Sequence, residues 1–320
     1  MISICIPVHN FNIHKLVDRL SGLGVKSGIP FEIIVIDDFS ADEYREQNAR
    51  VCKQHKYINL DRNIGRARIR NLFPGYSKYD KLLFLDCDSE IISDDFLEHY
   101  IIEIQNIESL VICGGRIYPM DQPVPDMRLR WKFGIERESF PASVRSKSPF
   151  RYFMTNNFLI DREILEKIKF DERIVRYGYE DTLFAYRLMK NDIEIKHTDN
   201  PVMHFCMETN SGFLGKTEQS IVNLGNILDY IDHDKDFIDN IRILRVYKRL
   251  ERLYLTALLR FFFSIMRHSL RFLLERGLTR LWFFDLYKLG LLTVVNGKQK
   301  PPGQAAGGLE TEIPSSAIQS

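Results

Sequence analysis

The residues of this chain able to do chemistry are gathered in a few acidic pairs and one arginine-rich helix start. Asp86-Cys87-Asp88 directly follows an apolar run, KLLFL. Two carboxylates one residue apart at such a place need a cation or hydrogen-bond donors before they can leave water. A divalent cation shared with a phosphate-bearing ligand meets that need, and Mg²⁺ or Mn²⁺ favours oxygen ligands; a turn capping a helix that starts near Ser93 is the plain alternative. Asp37-Asp38 ends a second apolar run, EIIVI. This pair either caps the following helix, as Ser40 could, or offers a carboxylate to a ribose or base. Asn63-Ile64-Gly65 opens a helix bearing Arg66, Arg68, Arg70 and Asn71. Glycine there lets a phosphate or base approach the backbone, and the arginines add cations, of which one or two can point at a site. Gly178-Tyr179-Glu180-Asp181 precedes TLFAYRLMK, and its acids are either first-turn partners of the helix dipole or a proton acceptor for an attacking hydroxyl. His204, inside VMHFC, is either a satisfied structural histidine or a metal ligand beside Asp88.

The elements that must position these groups alternate. Apolar runs at 2–8, 31–36, 57–60, 81–85 and 110–113 read as strands buried on both faces, and 15–23, 41–54, 66–73 and 94–107 show helical spacing. Strand-helix alternation predicts a parallel, doubly wound α/β sheet, whose ligands bind at the carboxyl ends of strands. His9-Asn10, Asp37-Asp38 and Asp86-Cys87-Asp88 fall at those ends. A Pro-bearing connection over 119–150 leads into a second mixed block, with strands at 158–160, 193–197 and 202–205 and a helix at 180–190. From 216 to about 292 the pattern is helical, and 301–320 reads as a disordered tail rich in Gly, Pro, Ser and Ala. Neither G-x-G-x-x-G after the first strand nor a Walker A loop is present, which argues against a dinucleotide or P-loop site.

The 320 residues carry a net charge of +1, which excludes a uniformly basic nucleic-acid binder, and no nucleic-acid partner is expected. That balance hides an asymmetry. Residues 240–300 hold 13 Lys/Arg and 3 Asp/Glu, whereas the first 239 residues hold 31 basic and 38 acidic ones. The five cysteines are scattered without a CxxC pair and read as free thiols of a reducing compartment. With no secretory leader before ISICIPV and no apolar run of spanning length, the expected location is cytoplasmic; a peripheral seat on the inner face of the cell membrane is the alternative that the basic region after 240 raises.

In order along about residues 1–206, ISICIPVHN, EIIVIDDFSAD, RNIGRARIRN, KLLFLDCD and YGYED resemble the motifs of the family 2 inverting glycosyltransferases of GT-A type. The resemblance implies a GT-A nucleotide-diphospho-sugar transferase fold, a mostly parallel doubly wound sheet, to which the helical pattern after 216 adds a C-terminal helical extension. Together with the helical and tail patterns above, it gives the expected division: a catalytic domain at 1–215 (nucleotide-sugar half 1–118, acceptor half 119–215), a basic amphipathic helical region at 216–296 and a flexible tail at 297–320. The resemblance also implies Mn²⁺- or Mg²⁺-dependent transfer from a nucleotide sugar, UDP-linked by family habit, to a hydroxyl of a glycan or lipid-linked acceptor in cell-surface polysaccharide synthesis. Carried over by position, the Pro7 backbone and Asp38 would hold the base with Arg70 nearby, and Asp86 would contact ribose or sugar. Asp88 would ligate the metal, and His204 would touch metal or diphosphate. Asp181 would be the general base and Glu180 would orient the acceptor. Asn156, Asn157 and Tyr179 would form the acceptor wall, while asparagines closing a turn and a tyrosine packing in a loop are the bland readings. Ile69 departs from a usual alanine and His9 from a common tyrosine. A sugar nucleotidyltransferase is the rival enzyme, but its Gly-rich loop is absent from PVHNFN. A catalytically idle nucleotide- or membrane-binding scaffold is the rival outside enzymes, and the retained Asp-x-Asp and Glu-Asp argue against it.

Over 241–276, helical spacing gathers Arg242, Arg245, Arg249, Arg252, Arg260, Arg267 and Arg271 within an arc of about 100°. Leu250, Tyr254, Leu258, Phe261, Phe262, Ile265 and Phe272 fall opposite. One long amphipathic helix is expected. It either lies on an anionic membrane, helped by Trp282-Phe283-Phe284, or packs its apolar side on the body or on a second subunit. The oligomeric state is left open.

Overall fold

The computed structural model describes residues 1–105, 111–174 and 177–298. The expected tail at 301–320 lies outside them, as do the ends of the elements expected at 94–107 and 110–113. Among the described residues ten strands follow in order: β1 (Ile2–Val8), β2 (Phe31–Asp37), β3 (Lys56–Asn59), β4 (Lys81–Leu85), β5 (Ser89–Glu90), β6 (Val111–Cys113), β7 (Arg116–Ile117), β8 (Asn157–Asp161), β9 (Lys196–His197) and β10 (Val202–His204). The helices are α1 (His14–Ser27), α2 (Asp42–Val51), α3 (Arg66–Tyr76), α4 (Phe96–Gln105), α5 (Arg128–Arg137), α6 (Ala142–Arg145), α7 (Arg162–Lys167), α8 (Glu180–Lys190), α9 (Asn210–Tyr230), α10 (Lys235–Asn240), α11 (Arg242–Arg252), α12 (Thr256–Glu275) and α13 (Leu281–Lys298).

Seven strands form the main sheet in the order β3-β2-β1-β4-β8-β6-β9. β8 runs antiparallel to both its neighbours and the other pairs are parallel, so the sheet is mostly parallel as expected. Its two faces are covered by separate apolar clusters. Ile4, Ile6 and Leu83 pack with α1 and α4 on one side, and Cys5, Phe84 and Phe158 with α3, α7 and α8 on the other. Two covered faces explain why β1 and β4 read as unbroken apolar runs. β3 departs from that expectation: it is a four-residue edge strand whose ends, Lys56 and Asn59, are exposed. The helix expected near Ser93 begins instead at Phe96. A second small sheet, β5-β10-β7, sets His204 opposite Ser89, one residue beyond Asp88.

A third cluster joins α9, α12 and α13 to Leu129 and Leu183. The boundary expected at residue 215 falls inside α9, because that helix packs on α5 as well as on α12 and α13. The long helix expected over 241–276 is corrected to two. α11 ends at Arg252, Tyr254 takes a left-handed φ of 57°, and α12 restarts at Thr256. The helical periodicity is interrupted there, so the seven arginines do not form one stripe. Arg245, Arg249 and Arg252 line a groove beside α10, while Arg267 and Arg271 face Glu218 of α9. Nor does the expected apolar side pack on the body. Phe263, Leu270 and Leu274 are the buried residues of α12, and Leu258, Phe261, Phe262, Ile265 and Phe272 are each at least half exposed. No helix among the described residues is long and apolar enough to cross a membrane.

Candidate active site

The strand order turns back on itself between β1 and β4, and loops leaving carboxyl ends at such a switch point diverge to leave a crevice. Two chambers open there. One, of about 450 Å³, is lined by Pro7, Asp38, Gly65, Arg70 and Asp88. The other, of about 350 Å³, is lined by Asn156, Tyr179, Glu180 and Asp181. Arg66, Asp86 and Tyr177 line both, so the chambers meet at Asp86.

The two carboxylates that end β2 have separate tasks. Asp37 is fully buried and spent on structure: it accepts from the Ser40 amide at 2.7 Å and from the Tyr57 hydroxyl at 2.8 Å. Asp38 faces the first chamber and accepts from the amides of Ile64 and Gly65 at 2.7 and 3.0 Å. Gly65 has a φ of 85°, a conformation that favours glycine and that starts α3 against Asp38. Because α3 starts there, Arg66 and Arg70 come round on one face while Arg68 turns outward to Glu172.

Three guanidinium groups surround Asp86. Arg70, itself only 1% exposed, reaches it at 2.8 Å, with Arg116 at 3.6 Å and Arg66 at 3.7 Å. Arg66 also reaches Glu180 at 3.6 Å, so one cation bridges carboxylates on either side of the cleft. Asp88 lies 3.3 Å from Nδ1 of His204. Burial opposes its ionisation, but the bond and charge of His204, with Arg116 and Arg66, outweigh that and hold the carboxyl well below the usual carboxylate range. His204 backs Asp88 without lining the chamber, and its buried Nε2 has no hydrogen-bond partner. Among the described residues no three His, Cys, Asp or Glu side chains could together hold a metal ion. An ionised Asp88 on the chamber wall, backed by His204, fits a cation that takes its remaining donors from a bound diphosphate, the usual arrangement for Mg²⁺.

The second chamber is built on a strained turn. Gly178 has a φ of 104° and Tyr179 a φ of 65°. A Cβ on Gly178 would come within 2.3 Å of the Ser220 Cβ. Asn223 of α9 donates from Nδ2 to the carbonyls of Tyr177 and Gly178 at 3.0 and 3.2 Å. Glu180 bends back to accept from the Gly178 amide at 3.0 Å, and Asp181 accepts from the Thr182 amide at 2.6 Å. Burial, and then the neighbouring Glu180 carboxylate, push the Asp181 carboxyl up to about 6.

Of the three residues expected on the acceptor wall, Asn156 and Tyr179 line the second chamber. Asn156 is 2% exposed and both its amide atoms lack a partner, an arrangement that leaves them free for a ligand. Asn157 does not face the chamber. Its amide is consumed by the Tyr100 hydroxyl at 2.6 Å and by the carbonyls of Gly115 and Asn200, so it ties β8 to the loop after β6. Arg116 was not expected in the site. It follows Cys113-Gly114-Gly115 just beyond the carboxyl end of β6, a place the strand-end rule marks. Glu208 and Lys216, also unexpected, line the first chamber from beyond β10.

Residues 3–169 match the family model described as Glycosyl transferase family 2. The chain belongs to that family. It is a glycosyltransferase with the GT-A fold. The chondroitin synthase of Pasteurella multocida (strain Pm70) is 28% identical over 222 residues, 58% of this chain; the chain spans only 23% of that protein's length. The amylovoran biosynthesis glycosyltransferase AmsB of Erwinia amylovora is 25% identical over 228 residues, 68% of this chain and 73% of AmsB. The mannosyltransferase PcManGT from Pyrobaculum calidifontis, solved with GDP-Man and Mn²⁺, matches with a TM-score of 0.58. That match covers 94% of this glycosyltransferase and 88% of PcManGT at 13% identity, which is a likeness of fold.

Proposed function

We propose that this glycosyltransferase moves a sugar from a nucleotide diphosphate sugar to a hydroxyl of a glycan or lipid-linked acceptor by one inverting displacement, in polysaccharide synthesis. The observation that carries the reading is a pair of carboxylates of opposite character on one cleft. Asp88 is held ionised on one side and Asp181 is raised to about 6 on the other, with Asp86 where the chambers meet. Pro7 and Asp38 would receive the base in the first chamber, and Asp86, oriented by Arg70 and Arg116, would meet ribose or sugar. Asp88 and His204 would hold Mn²⁺ or Mg²⁺, which when bound neutralises charge on the departing phosphates.

On the acceptor side Asp181 would take the proton of the attacking hydroxyl. A carboxyl titrating near 6 is a stronger base than an ordinary aspartate and is still ionised at neutral pH. Glu180, pinned by the Gly178 amide, and Asn156 would orient the acceptor. A base across Asp86 from the phosphate side suits attack on the face opposite the leaving group, and so inversion. Similarity to a chondroitin synthase and to an amylovoran biosynthesis glycosyltransferase supports a polysaccharide product. UDP follows from the family resemblance, and the GDP-Man held by PcManGT makes GDP its competitor. Association with anionic lipid through 241–276 is part of the proposal, supported by the half-exposed Phe261, Phe262 and Ile265 of α12.

Calorimetric titration of a panel of nucleoside diphosphates, with and without Mn²⁺, tests the reading on the parent and on Asp88→Ala. Metal-dependent binding of one nucleotide, lost in the variant, is expected. Equal binding with and without metal would overturn the metal assignment, and no binding at all would favour the idle scaffold.

A further inference from the structure

The Asp181 chamber does not close at Tyr179. Phe133, Arg137, Arg151, Tyr152, Tyr179 and Lys288 line it and also line a further cavity of about 540 Å³. α11 and α13 complete that cavity with Arg242, Trp282 and Asp285. Four cations, Arg137, Arg151, Arg242 and Lys288, therefore meet one carboxylate there. Asp285 is shared, 3.2 Å from Arg137 through one oxygen and 3.2 Å from Lys288 through the other. Neither Arg151 nor Arg242 has a carboxylate within ion-pair distance among the described residues, and the guanidinium of Arg151 lies 5.4 Å from the centre of the Tyr152 ring. Lys288 is set among aromatic rings, 4.7 Å from the centre of Phe284 and 5.2 Å from that of Phe133. Burial lowers its pKa, Asp285 works against that, and the neighbouring Arg137 and Arg242 lower it further. The positive charge of this cavity thus exceeds what Asp285 can balance. Such a place attracts an anion.

We propose that this cavity is an acceptor subsite for an acidic sugar. Arg151 and Arg242, with Lys288, hold the sugar's carboxylate or phosphate, and Tyr152 and Trp282 supply flat apolar faces for its ring. Charge-assisted bonds from guanidinium groups suit either oxyanion. Trp282 is more than half exposed and already stacked on Phe283 with centroids 3.5 Å apart, so its outer face is open at little cost in side-chain freedom. Because Tyr179 immediately precedes Glu180-Asp181, a charged unit in this cavity is the neighbour of the unit whose hydroxyl meets Asp181. The inference rests on the second chamber being the acceptor side.

The test uses the full chain, with a nucleoside diphosphate and Mn²⁺ present to fill the first chamber. A methyl hexuronoside, a hexose 6-phosphate and a neutral methyl hexoside are titrated in turn by calorimetry. At least one anionic ligand should bind roughly tenfold or more tightly than the neutral one, with the advantage shrinking as salt is raised. The carboxylate and phosphate arms identify which oxyanion the subsite takes. Arg151→Gln/Arg242→Gln, which changes two exposed side chains, should abolish the advantage and leave nucleotide binding intact. Equal affinity for neutral and charged sugars, or an advantage that survives the double substitution, would overturn the proposal. Failure of the glycosyltransferase site itself would show separately, as loss of the nucleotide titration.

Discussion

Asp181→Asn removes a proton acceptor while keeping its shape, and the structure predicts opposite effects on rate and stability. The amide oxygen of asparagine can still accept from Thr182, as Asp181 does at 2.6 Å. In the parent, burial and Glu180 raise the carboxyl from an ordinary 3.8 to about 6. Ionising it in the folded state therefore costs about two pKa units more than in the unfolded chain, or ~3 kcal/mol. Below about pH 4 the carboxyl is protonated in both states and the penalty is absent; it grows as pH rises towards 6 and is complete above. Asparagine never carries it. At pH 7.5 the variant should be more stable than the parent by up to ~3 kcal/mol, or roughly 5 °C in Tm. That is an upper bound, because Asp181 lines an open chamber where water screens it. By pH 4 the gap should close. Transfer should meanwhile fall by about 10²–10⁴, the usual contribution of a positioned base, with nucleotide affinity retained. Thermal unfolding across pH 4–8 and initial rates of sugar transfer measure both. A Tm gap independent of pH would refute the electrostatic argument, and transfer within a few-fold of the parent would refute the assignment of the base.

Arg70→Met strips the closest of three cations from Asp86 in a buried setting, and urea unfolding should show a loss of about 3 kcal/mol. A loss below 1 kcal/mol would mean that Arg66 and Arg116 already satisfy that carboxylate. Gly178→Ala forces a Cβ against Ser220 at a φ of 104°, so kcat/KM should drop at least tenfold while nucleotide binding is unchanged. An active alanine variant would show that the turn relaxes without moving Asp181. Phe261→Ser/Ile265→Ser should weaken co-sedimentation with phosphatidylserine-containing vesicles at least tenfold, given the apolar area these side chains offer. Unchanged sedimentation would assign that face to something other than lipid.

The parts legible in the sequence were those whose physics is local. Strands β1 and β4 announce themselves because two covered faces demand unbroken apolar runs, whereas β3, a short edge strand with exposed ends, does not meet the expectation of two covered faces. Asp38, Asp86 and Asp88 could be located because a strand end in such a sheet is a ligand site by topology. The division of labour between Asp37 and Asp38 could not, since it depends on Tyr57 and on the Ile64 and Gly65 amides arriving from elsewhere. Asn157 looked identical to Asn156 in the chain. Only the β4–β8 pairing, which sets it opposite Leu85 and under the loop after β6, turns its amide into a structural tie. The break at Tyr254 has no Gly or Pro to mark it, and periodicity alone therefore does not separate α11 from α12.

The two carbonyls held by Asn223 bear on how this enzyme can be altered by descent or by design. Glu180 and Asp181 ride on a turn whose shape is dictated from outside, by one amide and one small side chain on α9. The C-terminal helices are thus a jig for the two acids proposed to act in catalysis rather than a passenger that could be exchanged. A chimera joining the first two hundred residues to another family member's helices would inherit the acids without the clamp that shapes their loop. Variation at Ser220 and Asn223 should accordingly track Gly178, far away in sequence, more closely than it tracks their neighbours along the same helix.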